Sequence, residues 1–218
     1  MNIYLVRHGK QNSTDCNVNV PLCKIGKKQA ELLGRRLAKY PIDGLYSSDL
    51  IRAIETAKIT YNKMQEVSAN GFELEHQIRE GIKEIDFGDL TGKPDATIKE
   101  FYQNYYSTHS PLECDIHYPG GETANQVADR MMPVLDEIIE SGKKNVLVVT
   151  HGGAIRSLLA RLFSGNADKK LLFANSLENC SITQLYYNEE NKVFYLERFN
   201  DYAHIEADET LLRKNRED

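Results

Sequence analysis

The sequence predicts an α/β protein, a three-layer α/β/α sandwich on a mostly parallel sheet with one antiparallel strand. Three observations indicate this fold. Short apolar runs typical of strands alternate with longer segments of helical period. Two of these runs, residues 2–6 and 145–150, are strongly apolar and indicate buried strands. The last two predicted strands, 180–187 and 192–199, flank a short polar turn and form a hairpin.

The first part of the chain alternates strand, helix, strand and helix. Residues 7–23 are rich in Asn, Ser, Thr and Gly without periodicity, which indicates a loop. Apolar residues then recur at helical spacing over 24–40, and a short strand follows at 43–47. We expect Ser48 and Asp49 to cap the next helix. The apolar face of that helix consists of Leu50, Ile54, Ala57, Tyr61 and Met64.

The middle of the chain is less regular. We predict a strand at 72–76, and we interpret residues 77–121 as an insertion over the sheet edge that covers the active site. Within this insertion, the pattern predicts a loop at 77–93, a helix at 95–107 and a second loop at 108–121.

The remaining segments complete the predicted sheet and its helices. A helix at 123–141, which Pro133 should kink, precedes the strand at 145–150, and a helix follows at 153–163. The charged residues 200–218 predict a surface helix or a frayed tail. Because no change in composition separates two domains, residues 1–218 are expected to form one domain.

Composition narrows the function classes. A net charge of −5 argues against general binding of nucleic acids or anionic membranes. Apolar runs are too short to span a membrane, and no secretory signal is recognised after Met1, so we expect a cytoplasmic protein. The four cysteines form no C-x-x-C pair, which makes a zinc site unlikely in this sequence. The sequence pattern specifies no oligomeric state.

Two predicted strands end in the same way. The first runs into Arg7-His8-Gly9, and the strand at 145–150 runs into His151-Gly152. Because the carboxyl ends of strands form the ligand crevice of an open α/β sheet, both histidines should lie there. Glycine after each histidine lets the backbone turn and lets a ligand approach.

Arg52 is predicted in the first turn of the second helix, where its side chain can lean back toward this crevice. The alternative is a solvated surface arginine. Two arginines, two histidines and helix N-termini at 49 and 152 would form an anion pocket, and arginine suits phosphate because it offers paired donors.

Other phosphate-handling motifs are missing. The sequence has neither G-x-x-x-x-G-K-[ST] nor G-x-G-x-x-G, no cysteine followed by arginine six residues later, and no acidic cluster at metal-ligand spacing. We therefore expect no metal and no cofactor, and histidine is the remaining nucleophile.

Together these motifs resemble the histidine phosphatase superfamily, the phosphoglycerate-mutase-like proteins. The resemblance runs from about residue 1 to residue 185, and Asn179 resembles an asparagine that precedes a late strand of the family. The segments that carry it are Arg7-His8-Gly9, Pro21-Leu22 with Gly26 and Gln29-Ala30, Ser47 to Ala57, Gly120-Gly121-Glu122 and Thr150-His151-Gly152.

The resemblance implies a role for each matched residue. His8 would be the nucleophile that forms phosphohistidine, and Glu84 would be the general acid, with Asp86 and Glu80 as its rivals. Phosphoryl oxygens would be held by Arg7, Arg52 and His151. The predicted substrate-binding residues are Arg7, Gly9, Gln11, Asn12, Arg52 and Gly152.

The chain departs from the family pattern after the first His-Gly. In the family, Glu-Thr or Glu-Ser usually follows, with an asparagine three positions after that pair. Here the pair is Lys10-Gln11, and Thr14 occupies the position of the asparagine, with Asn12 nearby. A Gly-Trp-x-Asp stretch is replaced by residues 17–20, Asn-Val-Asn-Val. These departures suggest an unusual substrate.

The sequence favours a phosphatase that hydrolyses a phosphomonoester of a small metabolite. One alternative is a cofactor-dependent phosphoglycerate mutase. The resemblance argues for a phosphatase, because mutases of the family have longer chains with a larger insertion after the glutamate. A second alternative is a non-catalytic module that binds a phosphorylated ligand. Such a module would be expected to lose His8, Glu84 or an arginine, and all of them are present.

Overall fold

The computed structural model describes residues 1–68, 73–110 and 115–213. Its sheet has the strand order β3-β2-β4-β1-β5-β6. Only β5 runs against the other strands, because it pairs antiparallel with both β1 and β6. The predicted fold class is therefore confirmed. The strands are β1 (Asn2–Arg7), β2 (Gly44–Ser47), β3 (His76–Ile78), β4 (Asn145–Thr150), β5 (Ile182–Asn188) and β6 (Val193–Asp201).

Alternate residues of each central strand point to opposite faces of the sheet, and these residues are apolar on both faces. Helices therefore cover both faces. In β1, Ile3 and Leu5 pack with the α4 and α5 side, whereas Tyr4 and Val6 pack with α1 and α2. The helices are α1 (Lys24–Leu37), α2 (Ile51–Val67), α3 (Asp95–Tyr106), α4 (Ala124–Glu140) and α5 (Gly152–Ser164).

The predicted cap of α2 is wrong. The helix begins at Ile51 after Leu50, and neither Ser48 nor Asp49 is its cap residue. Instead, Asn19 in the loop after β1 accepts the Ile51 N–H at 2.9 Å. Helix α4 has a capping box at Thr123, and it continues past Pro133.

Two other predicted elements are displaced or absent. The strand predicted at 72–76 lies at His76–Ile78, where it pairs with residues 45–47 of β2; residue 72 is outside the described residues. The described part of the predicted tail contains no α-helix. It forms turns and a short 3-10 helix at Glu209–Leu211, and Leu211 is buried.

The loop predicted at 108–121 includes residues 111–114, which also lie outside the described part. Its later part is anchored by a buried ion pair. The Asp115 carboxylate accepts the Lys170 ammonium and the backbone N–H of Ile116. These contacts fix the end of the loop to the segment that follows α5.

Candidate active site

Three strand ends meet at one edge of the sheet. Arg7 at the end of β1 pairs with Thr150 at the end of β4. The backbone N–H of His8 donates to Thr150 at 2.9 Å, and the N–H of Ser48 donates to Val149 at 3.0 Å. A cleft with a volume of about 470 Å³ opens there, and His8 lies in its lining.

The contacts of His8 define its tautomer. The Nδ1 atom lies 2.7 Å from the Gly9 carbonyl oxygen, which can only accept, so Nδ1 carries the proton. The Nε2 atom lies 3.2 Å from the Nε of Arg52, which can only donate. Both contacts therefore leave a lone pair on Nε2, the state that a nucleophile requires.

Arg52 is only 2% exposed, so it is not the solvated arginine of the alternative interpretation. Besides His8, its guanidinium donates to the carbonyl of Val18 at 3.0 Å and to Oδ1 of Asn17 at 2.7 Å. These contacts use one N–H of each nitrogen. Because a guanidinium has five N–H groups, two remain for an anion.

Two buried donors beside His8 have no hydrogen-bond partner among the described residues: Nδ1 of His151 and Nε of Arg7. The His151 ring lies 5.0 Å from the His8 ring, and its Nε2 lies 2.7 Å from the Ser48 hydroxyl. Another Arg7 nitrogen donates to the carbonyl of Leu177. When the Ser48 hydroxyl donates to Nε2 of His151, Nδ1 carries the proton, and both this N–H and the Arg7 Nε–H can donate to phosphoryl oxygens.

Desolvation dominates the electrostatics of this cluster. Burial lowers the pKa of His8 well below its usual value, and the positive charges of Arg52 and Arg7 lower it further. Burial lowers the pKa of His151 in the same direction, and it lowers the pKa of Arg7 to about 9. Both histidines are therefore neutral near pH 7, while the arginines stay charged.

Glu84 lines the same cleft. Its Oε1 accepts the N–H groups of Ile85 and Ala154, both at 3.0 Å, and its Oε2 accepts the Gly153 N–H at 3.2 Å. The N-terminus of α5, which the sequence predicted as part of the anion pocket, thus holds this carboxylate. A Cβ on Gly153 would lie 2.5 Å from Oε1, so only glycine permits this approach.

The rival acids do not line the cleft among the described residues. Asp86 is exposed and accepts the Gly88 N–H, and Glu80 pairs with Lys83. Of the three candidate acids from the sequence, only Glu84 lines the cleft, which Asp15 and Asp95 also line.

Arg130 fixes the backbone of the segment that carries Glu84. It donates to the carbonyls of Gly81, Lys83 and Glu84 at 2.8–2.9 Å. Glu122 of the Gly-Gly-Glu motif pairs with Arg130 at 2.8 Å and accepts the Asp86 N–H at 2.9 Å. The motif therefore positions the acid from outside the cleft.

The predicted loop residues have different places. Gln11 lines the cleft, but its amide donates to the carbonyls of Ser13 and Asp15. Asn12 is exposed and is not in the lining. Asn17, which no sequence motif indicated, lines the cleft with a φ of +49° and holds Arg52. Its position in the Asn-Val-Asn-Val stretch is the only signal that the sequence offers for it.

The predicted glycines lie beside the cluster. The Gly9 N–H donates to the Thr56 hydroxyl at 3.0 Å, and Gly152 is the first residue of α5. Asn179 donates from its amide to the His8 carbonyl at 2.8 Å, so it fixes the backbone of His8. Arg213, near the chain end, also lines the cleft, and no sequence motif pointed to it.

The described residues offer neither a metal site nor a membrane span. They contain no group of three or more His, Cys, Asp or Glu side chains placed to hold a metal ion. None of their helices is long and apolar enough to cross a membrane.

Comparison with known proteins identifies relatives over most of the chain. The family model of the histidine phosphatase superfamily (branch 1) matches residues 3–201. Phosphoglycerate mutase-like protein 4 of Arabidopsis thaliana is 33% identical over 167 residues, covering 73% of this chain and 70% of that protein. A metal-independent phosphoserine phosphatase of Arabidopsis thaliana is 30% identical over 217 residues, covering 94% and 83%.

A solved structure supports the same fold. A mycobacterial glucosyl-3-phosphoglycerate phosphatase in complex with inorganic phosphate has a TM-score of 0.78 to this chain. The two are 24% identical, and the match covers 93% of this chain and 98% of that one.

Proposed function

The chain belongs to the histidine phosphatase superfamily, and from the geometry of its cleft we propose that it is a metal-independent phosphatase for a phosphomonoester of a small metabolite. The observation that carries the proposal is the state of His8. A neutral imidazole, whose Nε2 carries the lone pair and accepts a hydrogen bond from Arg52, is held beside two arginines at the end of β1.

In the first step, the Nε2 lone pair of His8 attacks phosphorus and the bond from phosphorus to the ester oxygen breaks. Arg7, Arg52 and His151 bind the phosphoryl oxygens and stabilise their charge. Glu84 gives a proton to the leaving oxygen.

In the second step, water attacks the phosphorus of phosphohistidine and loses its proton to Glu84. The nitrogen–phosphorus bond breaks, its electrons return to Nε2 of His8, and inorganic phosphate leaves. Both groups are then in their starting states. We also propose that residues 77–121 form one domain with the rest of the chain and cover this site. Glu84, Phe87 and Tyr102 of this segment line the cleft.

The test is turnover of p-nitrophenyl phosphate in EDTA, combined with trapping of the intermediate. Wild-type protein should be active without added metal and should yield an acid-labile, alkali-stable phosphoprotein. His8→Ala should lose both properties, whereas His109→Ala, at an exposed position, should keep them. A need for magnesium, or full turnover by His8→Ala, would contradict the proposal.

The phosphoglycerate mutase-like relative makes a mutase the second candidate. A mutase of this chemistry requires priming by a bisphosphate, and a phosphatase does not. Isomerisation of a phosphoglycerate only after bisphosphate is added would favour the mutase. Binding of phosphomonoesters without turnover or trapping would favour a non-catalytic module.

A further inference from the structure

The segment after β6 returns to the active site and is anchored there by Gln29. This side chain is 1% exposed. Its Oε1 accepts the backbone N–H of Lys10 at 2.8 Å, and its Nε2 donates to the carbonyl of Leu211 at 2.6 Å. One buried amide therefore joins the loop that follows His8 to the end of the described chain.

Glu178 supplies a second anchor. Its buried carboxylate accepts the N–H of Asn179 at 3.0 Å and the N–H of Arg213 at 3.1 Å. Asn179 in turn donates to the carbonyl of His8. The backbone of Arg213 is thus fixed relative to the nucleophile through two residues.

The guanidinium of Arg213 lines the cleft together with His8. Although the side chain remains open to solvent, partial desolvation lowers its pKa. Its positive charge also contributes to lowering the pKa of both Arg7 and His8. No hydrogen bond or ion pair joins this guanidinium to another residue in the described part of the chain, not even to Asp95 in the same lining.

Water reaches this guanidinium and no anionic group among the described residues pairs with it, so its donors are available to an anion bound in the cleft. The phosphoryl group already has donors from Arg7, Arg52 and His151 around His8. Arg213 is therefore an additional cation, held on a separate segment at the same cleft. Its planar set of donors matches a carboxylate, which it can bind through two hydrogen bonds.

We propose that Arg213 is a specificity residue that binds a carboxylate on the substrate. This inference rests on the proposed function and narrows it to small phosphomonoesters that carry a carboxylate. Arg7 and Arg52 would bind the phosphoryl end, and Arg213 would bind the other end of the molecule.

The test compares 3-phosphoglycerate with glycerol 3-phosphate, which has a hydroxymethyl group in place of the carboxylate. Binding of each is measured by calorimetry on His8→Ala protein, which cannot turn them over. The carboxylate ligand should bind about ten- to a hundredfold more tightly, the usual effect of a charge-assisted hydrogen bond. Arg213→Gln, added to His8→Ala, should bring the ratio of the two affinities close to one. Arg213→Lys should retain part of the preference for 3-phosphoglycerate.

Arg35→Gln is the matched control, because Arg35 is an exposed arginine on α1 outside the cleft lining. It should leave the ratio unchanged. The inference would be overturned if His8→Ala protein bound the two ligands about equally, or if its preference for 3-phosphoglycerate survived Arg213→Gln. It would also be overturned if only Lys10→Gln abolished that preference. Failure of the proposed function is separate, since it would appear as absent p-nitrophenyl phosphate turnover in wild-type protein whatever the binding ratio.

Discussion

The guanidinium of Arg130 donates a 2.9 Å hydrogen bond to the main-chain oxygen of Glu84. Arg130 does not line the cleft, whereas Glu84 does. Its other donors bind the carbonyls of Gly81 and Lys83 in the same segment and the Glu122 carboxylate. Glu84 is therefore held on its backbone side by α4 and on its carboxylate side by the first turn of α5.

Glu84→Gln should slow hydrolysis according to the leaving group. An alkoxide needs a proton to leave, so kcat/KM for an alkyl phosphate should fall by about 10²–10⁴, the usual range for general acid catalysis. The p-nitrophenolate ion is stable without a proton, so p-nitrophenyl phosphate should lose far less. Steady-state kinetics on both substrates measures the two losses. If they are equal, Glu84 shapes the pocket without donating the proton, and Asp86→Asn is the next variant.

Arg130→Met should produce the same leaving-group dependence in weaker form, because it displaces the acid without removing it. We expect a loss of roughly tenfold or more on the alkyl phosphate, since small displacements of catalytic groups are costly. Arg130→Lys should restore part of the activity. Arg35→Met, at an exposed arginine, is the control. A loss that is identical for both leaving groups would assign Arg130 to general stability alone.

Arg52→Lys should not be conservative. Lysine keeps the charge but cannot contact His8, Asn17 and a phosphoryl oxygen together through a planar fork. Loss of one charge-assisted hydrogen bond costs on the order of 1.5–3 kcal/mol, or about ten- to a hundredfold in kcat/KM. Circular dichroism melting should accompany the kinetics to establish that the variant is folded. Wild-type kinetics in folded Arg52→Lys would remove Arg52 from the phosphoryl site.

Gly153→Ala should disturb the acid, whereas Gly152→Ala should have a much smaller effect. The added carbon at position 153 would lie 2.5 Å from Oε1 of Glu84, while the carbon at position 152 would lie 3.5 Å from Nε of Arg7. We expect a loss of roughly ten- to a hundredfold in alkyl phosphate hydrolysis for the first variant. Similar losses in the two neighbouring variants would show that crowding of Glu84 is not the cause.

The free energy of unfolding should fall as the pH drops below about 6.5. Burial lowers the pKa of His8 and His151 in the folded chain and lowers that of His204 to about 4. The unfolded chain, with histidine pKa values near 6.5, then binds protons that the folded chain does not. These groups stabilise the fold fully above that value, and the contribution is lost as the pH falls toward 4.

Urea unfolding at pH values of about 7.5, 6 and 4.5 measures this dependence. His204→Asn should flatten the slope, since Arg36 donates to Nδ1 of this histidine and its Nε2 is buried without a partner among the described residues. His109→Asn, at an exposed position, should leave the slope as it is. A stability that is constant over this range would contradict the prediction.

The fold and the centre of the site could be predicted because they depend on local signals. Apolar runs mark β1 and β4, and the residues that follow them must meet at one edge of a parallel sheet. The sequence pattern alone therefore places His8 and His151 correctly in relation to each other.

Other features depend on contacts between distant segments, which local patterns do not encode. Ser48 suits a helix cap by type, but its hydroxyl bonds His151 and a loop asparagine, Asn19, reaches α2 instead. Asn12 and Asn17 lie in one aperiodic loop, and only its path determines that Asn17 reaches Arg52. The charge of residues 200–218 predicts a surface helix or a frayed tail. The local pattern does not reveal their two anchors, Gln29 and Glu178, because these are far away in sequence.

The order of strands in the sheet also has a consequence for synthesis on the ribosome. The first strand to be made, β1, lies between β4 and β5, which begin at residues 145 and 182. At about 5–20 residues per second, β1 waits several seconds or longer for its partners. During that time its apolar residues Ile3 to Val6 lack their neighbouring strands, and apolar strands exposed in this way are generally prone to misassembly. Until β4 is made, His8 also lacks His151, which follows that strand.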